Sequence, residues 1–190
     1  MTSTRANDVL TMVVGTYTDT GSKGIYSLSF DQNTGTATFL DSLSMINPSY
    51  LTFGRDGRML YAVSETSDIY ASLNAIAFDA ATGKMTFLNK YRTGGADPCF
   101  VDVTDSMAIT ANYSGGSMSV FPVLKDGSLA RCRYIYRGNS LKDGKAPQHV
   151  PHVHTARFMP DGHILATDFS ADQILLYKKL GAEVVPQGVA

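Results

Sequence analysis

All four histidines of this chain fall within one short segment, residues 149–163. The imidazole side chain titrates near neutral pH, so it can take a proton from water, polarise a carbonyl group or bind a metal. His152 and His154 are two residues apart, and on a β-strand both would therefore point to one side, with Val153 turned the other way. Three interpretations follow: an acid–base site, a metal site, or histidines whose hydrogen bonds are satisfied by their neighbours.

The metal interpretation is the least favoured of the three. The pattern His149-x-x-His152-x-His154 could supply three zinc ligands and leave a fourth position open. Against it, Pro151 constrains the loop between the first two histidines, and the sequence defines no fourth ligand. We therefore expect no metal and no cofactor. His163 directly follows an Asp-Gly turn and is expected to be a solvated turn residue.

Composition argues against several classes of protein. The 190 residues include 16 Lys and Arg against 17 Asp and Glu, so we expect no surface for nucleic acid or an anionic membrane. The longest apolar runs fall far short of the roughly 20 residues needed to cross a bilayer. Cys99 and Cys132 are too few for a disulfide framework and lack the spacing of a metal site. Because the N-terminal residues lack the apolar core of a signal peptide, we expect a cytoplasmic protein.

The elements that must position the histidines belong to a repeat. Four similar segments, each ending a predicted strand, recur at intervals of 48, 48 and 56 residues: VVGTY (13–17), YAVSE (61–65), ITANY (109–113) and LATDF (165–169). Each is followed by a polar loop and another strand rich in β-branched and aromatic residues. Three are preceded by a Pro-led strand, at 48–53, 98–103 and 151–158. A unit of about 48 residues with four strands is typical of a β-propeller blade.

We therefore predict an all-β fold, a β-propeller of four-stranded antiparallel blades. A single partial domain, residues 1–190, would hold four blades at about 11–46, 47–95, 96–146 and 147–190. The first blade would lack its inner strand, and residues 181–190 would form the outer strand of the fourth. Such a partial ring has open blade edges, through which we expect the chain to be able to self-associate.

In a blade whose strands are lettered A to D from the axis outwards, the B–C and D–A loops share one face of the ring. We call this face the mouth of the propeller. Polar groups that converge there form the default hypothesis for a binding site. The catalytic candidates are His152, His154 and Glu65. The substrate-binding candidates are Tyr17, Asn112, Tyr113, Lys145, Arg157 and Asp168.

Most of these candidates also have a purely structural interpretation. Glu65 could be a solvated strand-end carboxylate, and Asp168 could cap its own loop. Asn112 and Tyr113 could stabilise the Gly-rich turn that follows them. Arg157 lies on an inner strand heading to the other face, where it could be structural or could meet an anionic ligand.

Several of the same segments carry a resemblance to a known family. The stretch NPSYLTFGRDGRMLYAVSE, the loop ANYSGGS and the block PHVHTARFMPDGHILATDF are similar to the bacterial lactonase family, from about residue 12 to about residue 180. The resemblance implies a seven-bladed propeller and a metal-independent enzyme, typified by one kind of 6-phosphogluconolactonase. Seven such blades need roughly 330 residues, so the chain resembles the N-terminal half of a family member, not a closed four-bladed ring.

The resemblance and the chemistry together predict hydrolysis of a sugar-acid lactone, with 6-phosphogluconolactone as the expected small-molecule partner. His152 or His154 would act as base or electrophile, and Glu65 would orient it or bind sugar hydroxyls. Lys142, Lys145 or Arg157 would meet the phosphate. No G-x-S-x-G signature is present, so a covalent acyl-enzyme is not indicated. Two alternatives stay open: a non-catalytic binding platform, and an enzyme that cyclises a carboxymuconate.

Overall fold

A computed structural model describes residues 8–138 and 150–190, which contain strands and turns but no α-helix. Fifteen strands follow one another: β1 (Val9–Gly15), β2 (Gly24–Asp31), β3 (Ala37–Ser44), β4 (Leu51–Phe53), β5 (Met59–Ser64), β6 (Ser72–Asp79), β7 (Lys84–Arg92), β8 (Pro98–Val103), β9 (Met107–Asn112), β10 (Ser117–Pro122), β11 (Tyr134–Arg137), β12 (Val153–Phe158), β13 (His163–Asp168), β14 (Gln173–Leu180) and β15 (Glu183–Val189). No helix within the described ranges is long and apolar enough to span a membrane.

The strands form four antiparallel sheets, each in chain order, which we call blades 1 to 4. Blade 1 holds β1–β3, blade 2 holds β4–β7, blade 3 holds β8–β11 and blade 4 holds β12–β15. The predicted all-β fold is thus confirmed. Within the described part of the chain β1 has no inner neighbour, and β15 is the outer strand of blade 4.

The blades stack because the middle strands are apolar on both faces. On β5, Leu60 and Ala62 pack with Ile25 of blade 1, whereas Tyr61 and Val63 pack with Val101 of blade 3. All six side chains are at most 2% exposed. A third cluster joins blades 3 and 4. Strand alternation therefore explains how each blade covers two neighbours at once.

Polar side chains also join neighbouring blades through backbone groups. Asp41 Oδ2 accepts a hydrogen bond from the Met85 amide at 2.8 Å, which ties blade 1 to blade 2. Asp102 Oδ2 accepts from the Phe158 amide at 2.9 Å, which ties the inner strands of blades 3 and 4 together. The second bond fixes β12, the strand that begins beside the histidines, against β8.

Candidate functional site

At the end of each B strand, two neighbouring residues point their side chains in opposite directions. Thr16, Ser64, Asn112 and Asp168 are the fourth residues of the repeated segments, and Tyr17, Glu65, Tyr113 and Phe169 are the fifth. Side chains alternate along a strand, so the fourth residues turn into the blade and the fifth residues turn to the mouth. Phe169 is 67% exposed, whereas Asp168 beside it is 1% exposed.

The structure corrects the substrate-binding interpretation of Asn112. Its side chain is 0% exposed. Its amide donates to Ser117 Oγ at 3.0 Å and to Ser119 Oγ at 2.7 Å, and its carbonyl accepts from Thr110 at 3.0 Å. A fully buried amide whose groups are engaged inside the blade stabilises the turn after β9 and is not placed to contact a ligand.

Asp168 is corrected in the same way. It is buried, and its Oδ1 accepts a hydrogen bond from the His152 backbone amide at 3.0 Å. The carboxylate thus holds the main chain of the histidine loop, which is the capping role that its position also allowed. It lies behind the mouth and not in it.

Glu65 lies at the mouth in a defined hydroxyl environment. The phenol of Tyr17 donates to Glu65 Oε2 at 3.0 Å, and Ser49 Oγ contacts the same oxygen. Burial and, to a smaller degree, the hydrogen bond to Glu65 raise the pKa of Tyr17. The structure therefore brings two predicted site residues, Tyr17 and Glu65, together although 48 residues separate them.

His152 and His154 both surround the ring of Tyr113. The ring centroids of Tyr113 and His152 are 4.5 Å apart, and those of Tyr113 and His154 are 5.5 Å apart in an edge-on arrangement. Val153 between them is 0% exposed, as strand alternation predicts. Tyr113, His154, Thr167 and Phe169 line a concavity of about 470 Å³.

Strand register shows that His152 lies in the loop before β12, whereas His154 lies on the strand itself. The amides of Glu65, Tyr113 and Phe169 donate to the carbonyls of Asn47, Asp97 and His152, respectively. His152 therefore occupies the loop position of Asn47 and Asp97, and Val153, not Pro151, corresponds to Pro48 and Pro98. The Pro-led alignment of the fourth repeat was wrong by two residues.

His154 occupies a β-bulge, and this position recurs around the mouth. The pairing of β12 with β13 skips His154, and that of β8 with β9 skips Cys99. Ser49 has the corresponding place in blade 2, two residues after Asn47. The mouth residues Ser49 and Cys99 were missed by sequence reasoning, and the repeated carbonyl contacts are the signal that identifies them.

Cys99 lies between the Glu65 and histidine groups. Its Sγ is 3.4 Å from the carbonyl oxygen of His154. Burial, and next the negative charge of Glu65, raise the pKa of the Cys99 thiol to about 11. The thiol is therefore a neutral hydrogen-bond donor at physiological pH and is not activated as a nucleophile.

The remaining candidates lie elsewhere or outside the described residues. The Arg157 guanidinium is 5.3 Å from the ring centroid of Phe100, a cation–π contact on the inner strand. His163 follows the Asp-Gly turn between β12 and β13, on the face opposite the mouth. Its Nδ1 is 2.8 Å from Asp161 Oδ2, which agrees with a turn role. His149, Lys142 and Lys145 lie outside the described residues. Among residues 8–138 and 150–190, no group of three or more metal-ligating side chains is present.

A family model described as lactonase, seven-bladed β-propeller, matches residues 11–185. The chain belongs to this lactonase family. The 6-phosphogluconolactonase of Bacillus subtilis strain 168 is 35% identical over 172 residues, which cover 87% of this chain and 48% of the relative. The resemblance inferred from the sequence motifs is thus confirmed.

Solved structures show the same relationship. A protein of Bacteroides uniformis described as a candidate 6-phosphogluconolactonase is 46% identical, with a TM-score of 0.86, and the match covers 97% of this chain and 54% of that one. The periplasmic gluconolactonase PpgL of Pseudomonas aeruginosa is 30% identical, with a TM-score of 0.78, over 90% of this chain and 50% of that one. The chain spans about half the length of these lactonase-family relatives.

Proposed function

We propose that this protein hydrolyses a sugar-acid lactone, with 6-phosphogluconolactone as the substrate. The observation that carries the proposal is the pair of imidazoles around Tyr113 at the mouth, in a chain whose relatives include a named 6-phosphogluconolactonase. Imidazole is the side chain best suited to proton transfer near neutral pH. The arrangement of Glu65 with two hydroxyls supplies polar groups that can recognise sugar hydroxyls.

In the proposed reaction His152 takes a proton from water, and the resulting hydroxide attacks the lactone carbonyl carbon. The tetrahedral intermediate collapses with cleavage of the bond to the ring oxygen, which receives the proton from the imidazolium. One water is consumed, and the hydroxy acid is the product. A lactone of this kind also opens unaided, so positioning and modest acid–base help are sufficient.

The phosphate of the substrate requires cationic groups. None of the described mouth residues Tyr17, Glu65, Cys99, Tyr113 and Phe169 is cationic. We propose that Lys145 or Arg157 meets the phosphate. Because the Pseudomonas relative is a gluconolactonase, unphosphorylated gluconolactone is the alternative substrate.

Both substrates can be compared in one assay. The full-length protein is mixed with 6-phosphogluconolactone or with gluconolactone, and acid release is measured above the spontaneous rate. We expect a higher kcat/KM for the phosphorylated lactone, and inorganic phosphate should inhibit it competitively. Preference for gluconolactone would change the substrate, and no rate above background with either would refute lactone hydrolysis.

We also propose a cytoplasmic location for the protein. Cys99 and Cys132 are both free thiols. Free thiols are stable in a reducing compartment, which agrees with this proposal. Cell fractionation tests it, and recovery in the periplasm, as for the Pseudomonas relative, would contradict it.

A further inference from the structure

The main chain of His152 is held from two directions. Its backbone amide donates to Asp168 Oδ1 at 3.0 Å, and its carbonyl accepts from the Phe169 amide at 2.9 Å. The two partners are Asp168, the last residue of β13, and Phe169, the residue after it. The backbone of His152 is thus fixed relative to blade 4 independently of the contacts that its ring makes.

The ring of His152 is held by a third set of contacts. Its Nδ1 lies 3.0 Å from the carbonyl oxygen of Val150 and also contacts Ser170 Oγ. The ring also lies beside that of Tyr113, with centroids 4.5 Å apart and planes tilted by 44°. A ring held at one nitrogen and bounded by a neighbouring aromatic ring keeps a defined orientation, which a catalytic base requires.

The Val150 carbonyl decides which ring nitrogen has the proton. A carbonyl oxygen accepts hydrogen bonds and never donates, so Nδ1 must donate and is protonated in the neutral ring. Nε2 then has the lone pair. We infer that Ser170 is a positioning residue that, with the Val150 carbonyl, holds His152 in the Nδ1–H tautomer and so reserves Nε2 as the base. This inference rests on the proposed lactone hydrolysis.

A serine beside a histidine could instead be a nucleophile, with its hydroxyl donating to Nδ1. The same nitrogen cannot accept from Ser170 and donate to Val150 at once. With the proton on Nδ1, the Ser170 hydroxyl accepts from it and is not deprotonated by His152. The geometry therefore favours attack by water over a covalent acyl-enzyme.

The tautomer can be measured without substrate by ¹⁵N NMR of the histidine rings in the full-length protein. The His152 signals are assigned by their loss in His152→Ala. At a pH where the ring is neutral, we expect a protonated Nδ1 and an unprotonated Nε2. In Ser170→Ala the Val150 carbonyl remains, so Nδ1–H should stay the major tautomer while the Nε2–H tautomer becomes detectable, and Ser170→Thr, which keeps the hydroxyl, should suppress it again.

Kinetics of the same variants test the positioning role. Ser170→Ala should lower kcat by about tenfold with KM unchanged, less than the loss of the base itself, because the Val150 carbonyl remains. Ser170→Thr should recover most of kcat. Ser106→Ala is the matched control, since Ser106 is an exposed serine at the opposite-face turn before β9, and it should change neither readout.

Two results would overturn the inference. One is a wild-type ring protonated at Nε2, which would make the Ser170 hydroxyl the donor. The other is labelling of Ser170 by a fluorophosphonate with loss of activity, which would make it a nucleophile. If the tautomer behaves as expected but neither Ser170→Ala nor His152→Ala slows hydrolysis, the tautomer assignment stands and His152 as base is refuted.

Discussion

At the scale of single residues, adjacent positions on a strand have different roles, one in the structure of the blade and the other in the candidate site. Asn112 and Tyr113 are neighbours, yet the first is buried with its amide and carbonyl groups engaged and the second contacts both histidines. Sequence alone grouped them, because both are polar residues at the same loop. Only the repeated pairing pattern shows that the fourth residue of each segment turns inward.

Cys99 gives a residue-scale prediction that depends on its thiol pKa. A pKa of about 11 instead of 9.0 lowers the thiolate fraction at pH 8 by about a hundredfold. Alkylation of Cys99 by iodoacetamide should therefore be slow in the native protein, and its rate should keep rising with pH to about 11. Peptide mass spectrometry measures the rate site by site, which separates Cys99 from Cys132.

Cys99→Ser is the control that identifies the Cys99 signal. A native alkylation rate that levels off near pH 9 would contradict the assigned environment. Complete modification should also block the mouth, because the thiol lies 3.4 Å from the His154 carbonyl.

At the scale of elements, the turn after β9 brings two blades together. Gly116 has a φ of 56°, in the left-handed region. A Cβ at this position would lie 2.4 Å from the carbonyl oxygen of Pro151. The glycine therefore lets the loop that holds His152 approach the Tyr113 turn.

Gly116→Ala should displace the Pro151 loop and lower both stability and activity. The left-handed φ alone costs about 1 kcal/mol for a non-glycine residue, and the contact with the Pro151 carbonyl adds to it. Gly35→Ala is the matched control, because Gly35 has a φ of 71° with nothing within 4 Å of its Cβ position. Urea unfolding of both variants compares them, and equal losses of stability would contradict a role for the Pro151 contact.

The elements themselves were largely predictable from sequence, and their register was not. Short strands such as GIYSLSF (24–30) and QILLYKK (173–179) lie where β-branched and aromatic runs between turns place them. The register of β12 was misread because Pro151 resembles Pro48 and Pro98 in sequence. The bulge at His154 adds a residue that no alternation rule can reveal, since it depends on pairing with β13.

At the scale of the whole molecule, four stacked blades leave β1 without an inner neighbour among the described residues. The strand reads VLTMVVG and has no charged residue. Uncharged edge strands of high β-propensity pair readily with other chains. In relatives about twice as long, further chain is present that this 190-residue chain does not contain.

We therefore predict that the 190-residue chain alone self-associates. Sedimentation velocity should show concentration-dependent species larger than a 20.5 kDa monomer. Leu10→Lys, at a residue of β1 that is 49% exposed, should reduce association, whereas Leu124→Lys, at a residue that is 47% exposed on the opposite-face turn, should not. A monomer at all concentrations would contradict the prediction.

The most direct test of the account is the hydrolysis rate of the full-length protein after single histidine replacements. Acid release from 6-phosphogluconolactone is measured above the spontaneous background, with unfolding midpoints confirming that each variant is folded. His152→Ala should lower kcat by about a hundredfold or more, the usual size for loss of a general base. His163→Ala, at the opposite face, should leave the rate unchanged. An unchanged rate in a folded His152→Ala variant would contradict the role of His152 as the base.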